Sequence, residues 1–279
     1  MLTFGQRILK EITQTAKYYQ TGDEQMKALV KVCLIMLMAV LFIPTAFAQD
    51  LMEGLIAYWN FNDGSGDTAL DSSGNGHDGT LNGDPEWVDG YFGGALEFDG
   101  NGDEVNVPFD DALSPEETFT VCLWANVAPG SSGHRAPISN RDDNPLAGYI
   151  IYAEPGNTWQ YWIGTGAWNI LQGPAVEFGE WTHLTAIYSE GAQKLYVNGE
   201  LAGESAGVLE INSTNNLLIG AGANERATHE YLFVGQVDDV RIYDRVLTEE
   251  EIAIALLGEI DFAVSAIEKL PVTWGMIKR

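Results

Sequence analysis

The sequence predicts an all-β protein, a sandwich or barrel of antiparallel strands. Short strand-like runs recur along the chain, separated by clusters of Gly, Asn, Asp and Ser, and this spacing is typical of such folds. The 31 glycines and the aromatic content of 11% favour turns and strands over helices. A hydrophobic share of 46% is sufficient for a sizeable core.

The predicted strands run from a first aromatic segment to a long final one. Alternation places Trp59 and Phe61 on one face of the first strand. It likewise places Phe119, Val121 and Leu123 on one face of a later strand, so all five are expected in the core. The strands are Leu55–Phe61, Ala95–Phe98, Glu104–Val107, Phe119–Val127, Gly148–Tyr152, Trp159–Ile163, Thr182–Tyr188, Lys194–Val197, Leu217–Gly220 and Tyr231–Tyr243.

Three local signals define turns and one helix. Asn198-Gly199 between two strands predicts a two-residue hairpin turn. The segment Asp71–Gly76 is a turn former, because Asp and Ser side chains bond nearby backbone N–H groups and Gly allows positive φ. Thr248 and Glu251 have the spacing of a capping box and stand before an apolar run, which predicts a helix there.

Five segments in order resemble the laminin-G-like, concanavalin-A-like jelly-roll family of secreted bacterial proteins. The resemblance covers about residues 51–257 and implies two antiparallel sheets curved together, with one concave face. Since this fold carries lectins, adhesion modules and glycan-active enzymes alike, it does not decide the function. The segments are LIAYWNFNDGSGDTALDSSGNGHDG (55–79), ALEFDGNGDEVNVP (95–108), FTVCLWANV (119–127), WTHLTAIYSEGAQKLYVNGELAG (181–203) and GQVDDVRIYDRVLT (235–248).

The N-terminus has the pattern of a secretory signal. The apolar run Val32–Ile43 is 12 residues long, whereas a membrane-spanning helix needs about 20. Lys27 and Lys31 precede it, and Ala-Phe-Ala ending at Ala48 follows. We expect cleavage after Ala48 and a secreted, extracellular or periplasmic protein without a membrane anchor; a retained anchor is the alternative. Met26 would open a well-proportioned signal, which suggests that it is the true start.

The chain therefore divides into an N-terminal extension with its signal (1–48), one jelly-roll domain (49–258) and a tail (259–279). The tail is either a strap on the sandwich or a loose end. The net charge is −26, and removing residues 1–48 leaves 9 basic against 37 acidic residues, a net charge of −28. Such acidity excludes nucleic acid and anionic membrane surfaces as partners.

A structural calcium site is the sharpest chemical hypothesis. Strict alternation puts Asp238 on the same strand face as Val240 and Ile242, and a carboxylate there is costly unless it is paired or metal-bound. In related jelly rolls, including laminarinase-like enzymes, the resemblance implies that this first Asp ligates Ca²⁺ together with a group after the first strand. The matching residues here are Asn62 and Asp63, although Asn62 departs from the more usual acidic residue. Hydrogen bonding of Asp238 to backbone or Arg groups is the alternative.

The motifs of catalysis are missing from the sequence. The Glu-x-Asp-x-x-Glu strand of laminarinase-like enzymes, the Arg/Gln/His/Tyr constellation of alginate lyases and the Gly-x-Ser-x-Gly elbow are absent. Two cysteines exclude a disulfide framework, and the four histidines are scattered. We therefore expect a protein that is not an enzyme.

Carbohydrate binding is expected near the segment 159–163. Aromatic rings form platforms for sugars, and Asn, Asp and Gln bind hydroxyl groups. In the family pattern the apolar positions match Trp159, Tyr161 and Ile163, so Gln160 and Trp162 are expected to point to the concave face; burial of Trp162 under a loop is the alternative.

Neighbouring segments complete the candidate site. Trp168 in the next turn is expected to close one side, and the oxygen-rich loop 140–144 to border the ligand. The candidate ligand-binding residues are Trp162, Gln160, Trp168, Asn140 and Arg141. The expected partner is a glycan or an extracellular or cell-surface protein; a structural module without sugar binding and a glycan-active enzyme are the alternatives.

Overall fold

A computed structural model describes residues 51–222 and 231–258. The predicted signal segment, residues 1–48, and the tail, residues 259–279, lie outside the described residues. Two antiparallel sheets pack face to face, and one short α-helix follows the last strand. The predicted all-β sandwich is therefore confirmed. Among the described residues, no helix combines the length and apolarity needed to cross a membrane.

Sheet I contains the last long strand at its centre. Its order is β14-β13-β12-β7-β16-β5-β4, and β1 pairs with the second half of β16. Its strands are β1 (Leu55–Trp59), β4 (Glu86–Asp89), β5 (Gly94–Phe98), β7 (Thr118–Val127), β12 (Trp181–Ser189), β13 (Ala192–Val197), β14 (Glu200–Ala206) and β16 (Gly235–Tyr243).

Sheet II has the order β11-β10-β9-β8-β15-β6-β3-β2. Its strands are β2 (Thr68–Ala69), β3 (Gly79–Asn82), β6 (Glu104–Val107), β8 (Arg135–Asp143), β9 (Leu146–Ala153), β10 (Thr158–Gly164), β11 (Trp168–Ala175) and β15 (Leu217–Ile219).

The core lies between the two sheets and is built by alternating residues. The inward side chains predicted for sheet I, Trp59, Phe61, Phe119, Val121 and Leu123, are all buried in one cluster. The same cluster contains the three residues of β10 that were expected to face inward, Trp159, Tyr161 and Ile163. Alternation therefore leaves Gln160 and Trp162 on the side of β10 that points away from the core, the outer face of sheet II.

A β-bulge in β16 overturns the predicted orientation of Asp238. Asp238 pairs with Trp124 and Arg241 pairs with Cys122, so three steps on β16 oppose two on β7. Asp239 is the extra residue of the bulge and has a φ of +55°. Asp238 consequently points to the outer face of sheet I, opposite to Val240, and the prediction that these two share a face was wrong.

The predicted turns and helix are confirmed. Asn198 and Gly199 both have positive φ, 52° and 81°, between β13 and β14, as a type I′ hairpin requires. The Asp71 carboxylate accepts backbone N–H groups from Tyr58, Ser73 and His77.

Helix α1 (Glu249–Ala255) begins at a complete capping box. Thr248 Oγ1 accepts the Glu251 N–H at 3.2 Å, and Glu251 Oε2 accepts the Thr248 N–H at 2.8 Å. The helix places Ile252 with Cys122 and neighbouring apolar residues, so it covers part of the outer face of sheet I.

Two predicted loops proved to be strands. Residues 140–143, expected in an oxygen-rich loop, are the end of β8, and Trp168, expected in a turn, begins β11. Strand β8 contains Pro137, and β11 contains Gly173 and Pro174. These residues, together with many polar ones, obscure the strand pattern. Strands β2, β3, β4 and β14 were also missed, since they are short or largely exposed.

Candidate functional site

A cavity of about 410 Å³ opens on the outer face of sheet II. Strands β8, β9, β10 and β11 supply its floor and one wall, while His134 and Tyr231 approach from outside the sheet. We call it the aromatic pocket. It is lined by His134, Arg141, Asp143, Leu146, Tyr152, Trp162, Trp168 and Tyr231.

The rings of the aromatic pocket pack around Tyr152 and Trp162, edge to face except for the tilted pair Trp162 and Trp168. The Trp162 centroid lies 5.1 Å from that of Tyr152 and 5.9 Å from that of Trp168. His134 lies 5.6 Å from both Trp162 and Tyr231. Tyr152 is buried, whereas Trp162 and Trp168 are half-buried, so a ligand can reach both indoles. Trp162 is therefore a wall of the pocket.

Arg141 is a second component of the pocket. Its guanidinium carbon lies 5.3 Å from the Trp168 centroid and 5.6 Å from that of Tyr231, within the range of cation–π contacts. Arg141 Nη1 donates to the Tyr152 hydroxyl at 3.4 Å, and Nη2 pairs with Asp143. The aromatic rings thus already hold a cation of the protein, which disfavours a cationic ligand.

Four of the five predicted ligand-binding residues lie together here. Arg141, Trp162 and Trp168 line the pocket. Gln160 stands beside it and accepts the Trp162 indole N–H on Oε1 at 2.7 Å. Gln160 therefore fixes the orientation of the Trp162 ring.

Asn140 does not belong to the site. It is 2% exposed, and its Nδ2 donates to Leu113 O at 2.6 Å and to Ser114 Oγ at 3.0 Å. Its Oδ1 accepts from Asn212. The prediction was wrong because residues 140 and 141 are consecutive in a strand, and consecutive side chains point to opposite faces.

Two pocket residues had no signal in the sequence. His134 precedes β8 in an irregular segment. Tyr231 was predicted as the first residue of the last strand, but β16 begins only at Gly235, so strand alternation does not describe where either side chain points. Burial lowers the pKa of His134 below its ordinary value, which favours a neutral ring at pH 7.

The three predicted calcium ligands bind two different segments of the backbone. Asp238 Oδ2 accepts the Phe92 N–H at 2.8 Å, and Asn62 Oδ1 accepts the Gly94 N–H at 2.8 Å, so both hold the segment 90–94. Asp63 Oδ2 instead accepts the Leu70 N–H at 3.2 Å. Within residues 51–222 and 231–258, no three His, Cys, Asp or Glu side chains form a group suited to a metal.

Asp238 nevertheless has the features of an incomplete site. It is fully buried, and its Oδ1 has no hydrogen-bond partner within the described part of the chain. Burial raises the pKa of this carboxyl to about 7. Asp239, its neighbour, is instead paired with Arg241 at 2.7 Å.

A larger cleft, of about 740 Å³, lies between the edge strands β11 and β14. Gln172, Thr182, Asn198 and Leu201 are among its lining residues, and none of its lining residues is aromatic. Volume alone would favour this cleft. Aromatic rings are, however, the usual platforms for sugars, and of these two cavities only the aromatic pocket has them.

Residues 63–253 match the family model Laminin_G_3, the concanavalin A-like lectin/glucanases superfamily. The match spans more than half of the chain. The protein therefore belongs to this superfamily.

Individual relatives are more distant. Pentraxin-related protein PTX3 of Mus musculus is 33% identical over 91 residues, which cover 28% of this chain and 23% of the mouse protein. Domain 4 of AbnA, an extracellular arabinanase of Geobacillus stearothermophilus solved in complex with arabinotriose, is 23% identical with a TM-score of 0.56. The alignment covers 72% of this chain and 98% of that domain.

The binding domain of Paraclostridial Mosquitocidal Protein 1 is 19% identical with a TM-score of 0.59, and the alignment covers 74% of this chain and 52% of that chain. At these identities the two structural likenesses show the fold alone.

Proposed function

We propose that this chain is a non-catalytic glycan-binding module of an exported protein, with the aromatic pocket as its sugar site. The observation that carries this proposal is the pair of half-buried indoles, Trp162 and Trp168, beside Arg141 and Asp143. The apolar face of a sugar ring would lie against the indoles, and the charged groups would bind its hydroxyls.

The pocket chemistry supports binding over hydrolysis. Among its described lining residues Asp143 is the single carboxylate, and it is paired with Arg141. Glycoside hydrolysis ordinarily needs two carboxyl groups about 5–10 Å apart. The pocket volume of about 410 Å³ lies within the range of small-molecule sites.

A glycan array with residues 49–258 tests the function, followed by titration calorimetry with each hit and with arabinotriose. Trp162→Ala should weaken binding at least tenfold, because it removes the central platform. Trp162→Phe should keep most of the affinity. Leu201→Ala, an exposed apolar change on sheet I, is the matched control and should leave affinity unchanged.

Two results would contradict this assignment. If the wild-type protein binds no glycan on the array, the function is wrong. If Trp162→Ala and Trp168→Ala both bind as the wild type does, the sugar site lies elsewhere. If the protein released reducing ends from a bound glycan, it would be a glycan-active enzyme and the non-catalytic assignment would be wrong.

We further propose that calcium binds at Asp238. The buried Oδ1 of Asp238 has no hydrogen-bond partner among the described residues, and the pKa of this carboxyl is raised. Both features support a cation bound at this carboxylate. Asn62 could add an amide oxygen from the other end of the 90–94 segment, and calcium would need further ligands from carbonyls and water, since it takes six to eight oxygens. Asp63 fits less well, because its side chain holds Leu70. A bound Ca²⁺ would provide a positive partner for the Asp238 carboxylate.

Thermal unfolding in EDTA and in millimolar CaCl₂ tests this site. Calcium should raise the melting temperature of the wild type, since a ligand at about 100 Kd adds about 2.7 kcal/mol to the free energy of unfolding. Asp238→Asn keeps an acceptor for Phe92 but should abolish the shift, while Asp63→Asn should retain it. An unchanged wild-type melting temperature at 10 mM CaCl₂ would refute the site.

A protein partner is the second candidate function. The cleft between β11 and β14 favours it, because both are edge strands and an extended peptide can add to an exposed edge. Two results together would support this alternative. The wild-type protein would bind no glycan on the array, and a peptide would bind the wild type but not a Leu201→Asp variant.

A further inference from the structure

A second aromatic surface lies on the outer face of sheet I. The segment 90–94 that carries it is tied down at three points. Gly90 N–H donates to Gly93 O at 2.8 Å, which closes the turn. The Phe92 N–H bonds to Asp238, and the Gly94 N–H bonds to Asn62. Tyr91, at the tip, is therefore presented by a fixed loop.

Tyr91 stacks on a buried tryptophan. Its ring centroid lies 3.6 Å from that of Trp124, with an angle of 18° between the planes. Trp124 is 3% exposed, whereas Tyr91 is 43% exposed. One face of the Tyr91 ring is thus covered, and its exposed area lies on the opposite face and the rim.

Two further rings lie close to Tyr91. Phe92 lies 4.7 Å from Tyr91 and 6.1 Å from Trp124. With the 3.6 Å stack, these distances form a nearly right-angled triangle at Tyr91, so Phe92 is beside the stack and does not cover the open face. Trp181, half-buried, lies 6.2 Å from Tyr91 at 65°. We call Tyr91, Trp124 and Trp181 the Tyr91 shelf.

A row of polar side chains adjoins the shelf. Trp181 pairs with Asn126, Asn126 with Gln236, and Gln236 with Glu97 across four adjacent strands. Paired residues in a sheet share one face, and neighbouring strands lie about 4.8 Å apart. Gln236 Nε2 donates to Glu97 Oε2 at 3.0 Å. Amide and carboxylate groups therefore extend from the edge of the aromatic surface.

We infer that the Tyr91 shelf is a second binding platform for a neutral saccharide. An exposed ring face beside amides and a carboxylate suits the apolar face and hydroxyls of a sugar. The charged members of the adjoining row are both acids, Glu97 and its partner Glu86 on β4, and the net charge of the chain is −26, so an anionic ligand is disfavoured. Because the core separates the outer faces of the two sheets, one chain would bind two glycan segments on opposite sides.

Indole N–H resonances distinguish the two sites in one titration. Protein labelled with ¹⁵N would be titrated with arabinotriose, xylohexaose, cellohexaose, laminarihexaose and mannohexaose. The Trp181 indole reports on the shelf and the Trp162 indole on the aromatic pocket, each assigned by its own Phe variant. We expect at least one of these sugars to shift Trp181, and the same shift to persist in Trp162→Ala.

Three variants test the shelf itself. Tyr91→Ala should weaken the Trp181 response about tenfold while leaving that of Trp162 unchanged. Tyr91→Phe keeps the ring and should stay within twofold of the wild type. Gln236→Ala leaves the aromatic stack intact and should weaken binding severalfold, which tests the proposal even if Tyr91→Ala fails to fold.

The outcomes separate this inference from the proposed function. The shelf is refuted if no sugar in the panel moves Trp181, if its shift disappears in Trp162→Ala, or if Tyr91→Ala and Gln236→Ala both leave it intact. A Trp181 shift without any Trp162 shift supports the shelf and instead refutes the aromatic pocket as a sugar site.

Discussion

His183 illustrates how burial governs single residues here. It is 1% exposed, and its ring lies 5.1 Å from that of Trp124 in sheet I. Burial, with a smaller contribution from the Arg241 charge, lowers its pKa to about 3. The neutral ring is therefore the form that the folded protein retains at pH 7.

This shift predicts a pH dependence of stability. The folded pKa lies below the unfolded value of about 6.5, so His183 contributes stability that is present above pH 6.5 and is lost as the pH falls toward 3. His183→Gln should remove this contribution. Between pH 7.5 and 4.5, the wild type should lose about 2–3 kcal/mol more free energy of unfolding than the variant.

Urea denaturation of both proteins at pH 7.5, 5.5 and 4.5 measures this difference. The many carboxylates titrate equally in both, so the comparison isolates His183. Parallel pH profiles for the two proteins would contradict the assignment of a buried neutral histidine.

At the scale of elements, the bulge in β16 has the widest consequences. It turns Asp238 to the outer face, where the 90–94 segment covers it. It also leaves Arg241 on that face, 1% exposed, with its Nη2 at 2.7 Å from Asp239 and its guanidinium carbon 4.8 Å from the Tyr58 centroid. One inserted residue thus creates both the candidate calcium ligand and a buried ion pair.

The N-terminal cap of helix α1 was predicted from the sequence, and its contribution to stability can be tested. Thr248→Ala removes the acceptor of the Glu251 N–H and should lower the free energy of unfolding by about 1 kcal/mol. Thr248→Ser retains the hydroxyl and should change it by less than half as much. Urea unfolding at pH 7.5 measures both; equal losses would show that the Thr248 methyl group, rather than the cap, stabilises this end of the helix.

For the whole molecule, the dominant property is its charge of −26. Like charges repel in the compact state, and salt screens them over about 10 Å at 0.1 M. Meanwhile the two candidate sugar surfaces depend on aromatic rings, whose contacts with neutral ligands salt hardly affects. Stability and binding should therefore respond differently to ionic strength.

Raising NaCl from 10 to 300 mM should increase the melting temperature by several degrees, while the affinity for a neutral glycan hit should change less than twofold. Differential scanning calorimetry and titration calorimetry in the same buffers provide the two measurements. A severalfold loss of affinity with salt would instead indicate a charged ligand.

Local chemistry was sufficient for several features of this protein. The Asn198-Gly199 hairpin, the Asp71 turn and the cap of α1 each depend on residues close together in sequence, so their type could be predicted. The family pattern assigned Trp159, Tyr161 and Ile163 to the core, where they lie, and alternation then puts Trp162 on the opposite side of the strand. The family resemblance supplied the sandwich, and the family match confirmed it.

Tertiary structure decided which predicted residues leave the sites and which other residues join them. A single bulge reversed Asp238, and the unrecognised strand β8 sent Asn140 inward and Arg141 outward. His134 reaches the aromatic pocket from a segment without periodicity, and Tyr91 meets Trp124 only because a loop folds over sheet I. The sequence by itself determined the turns, the helix cap, the regularly alternating strands and the outward side of Trp162, because short-range geometry controls them. Which side chains share a surface depends on strand register and loop packing over long separations, and these exist only in the folded chain.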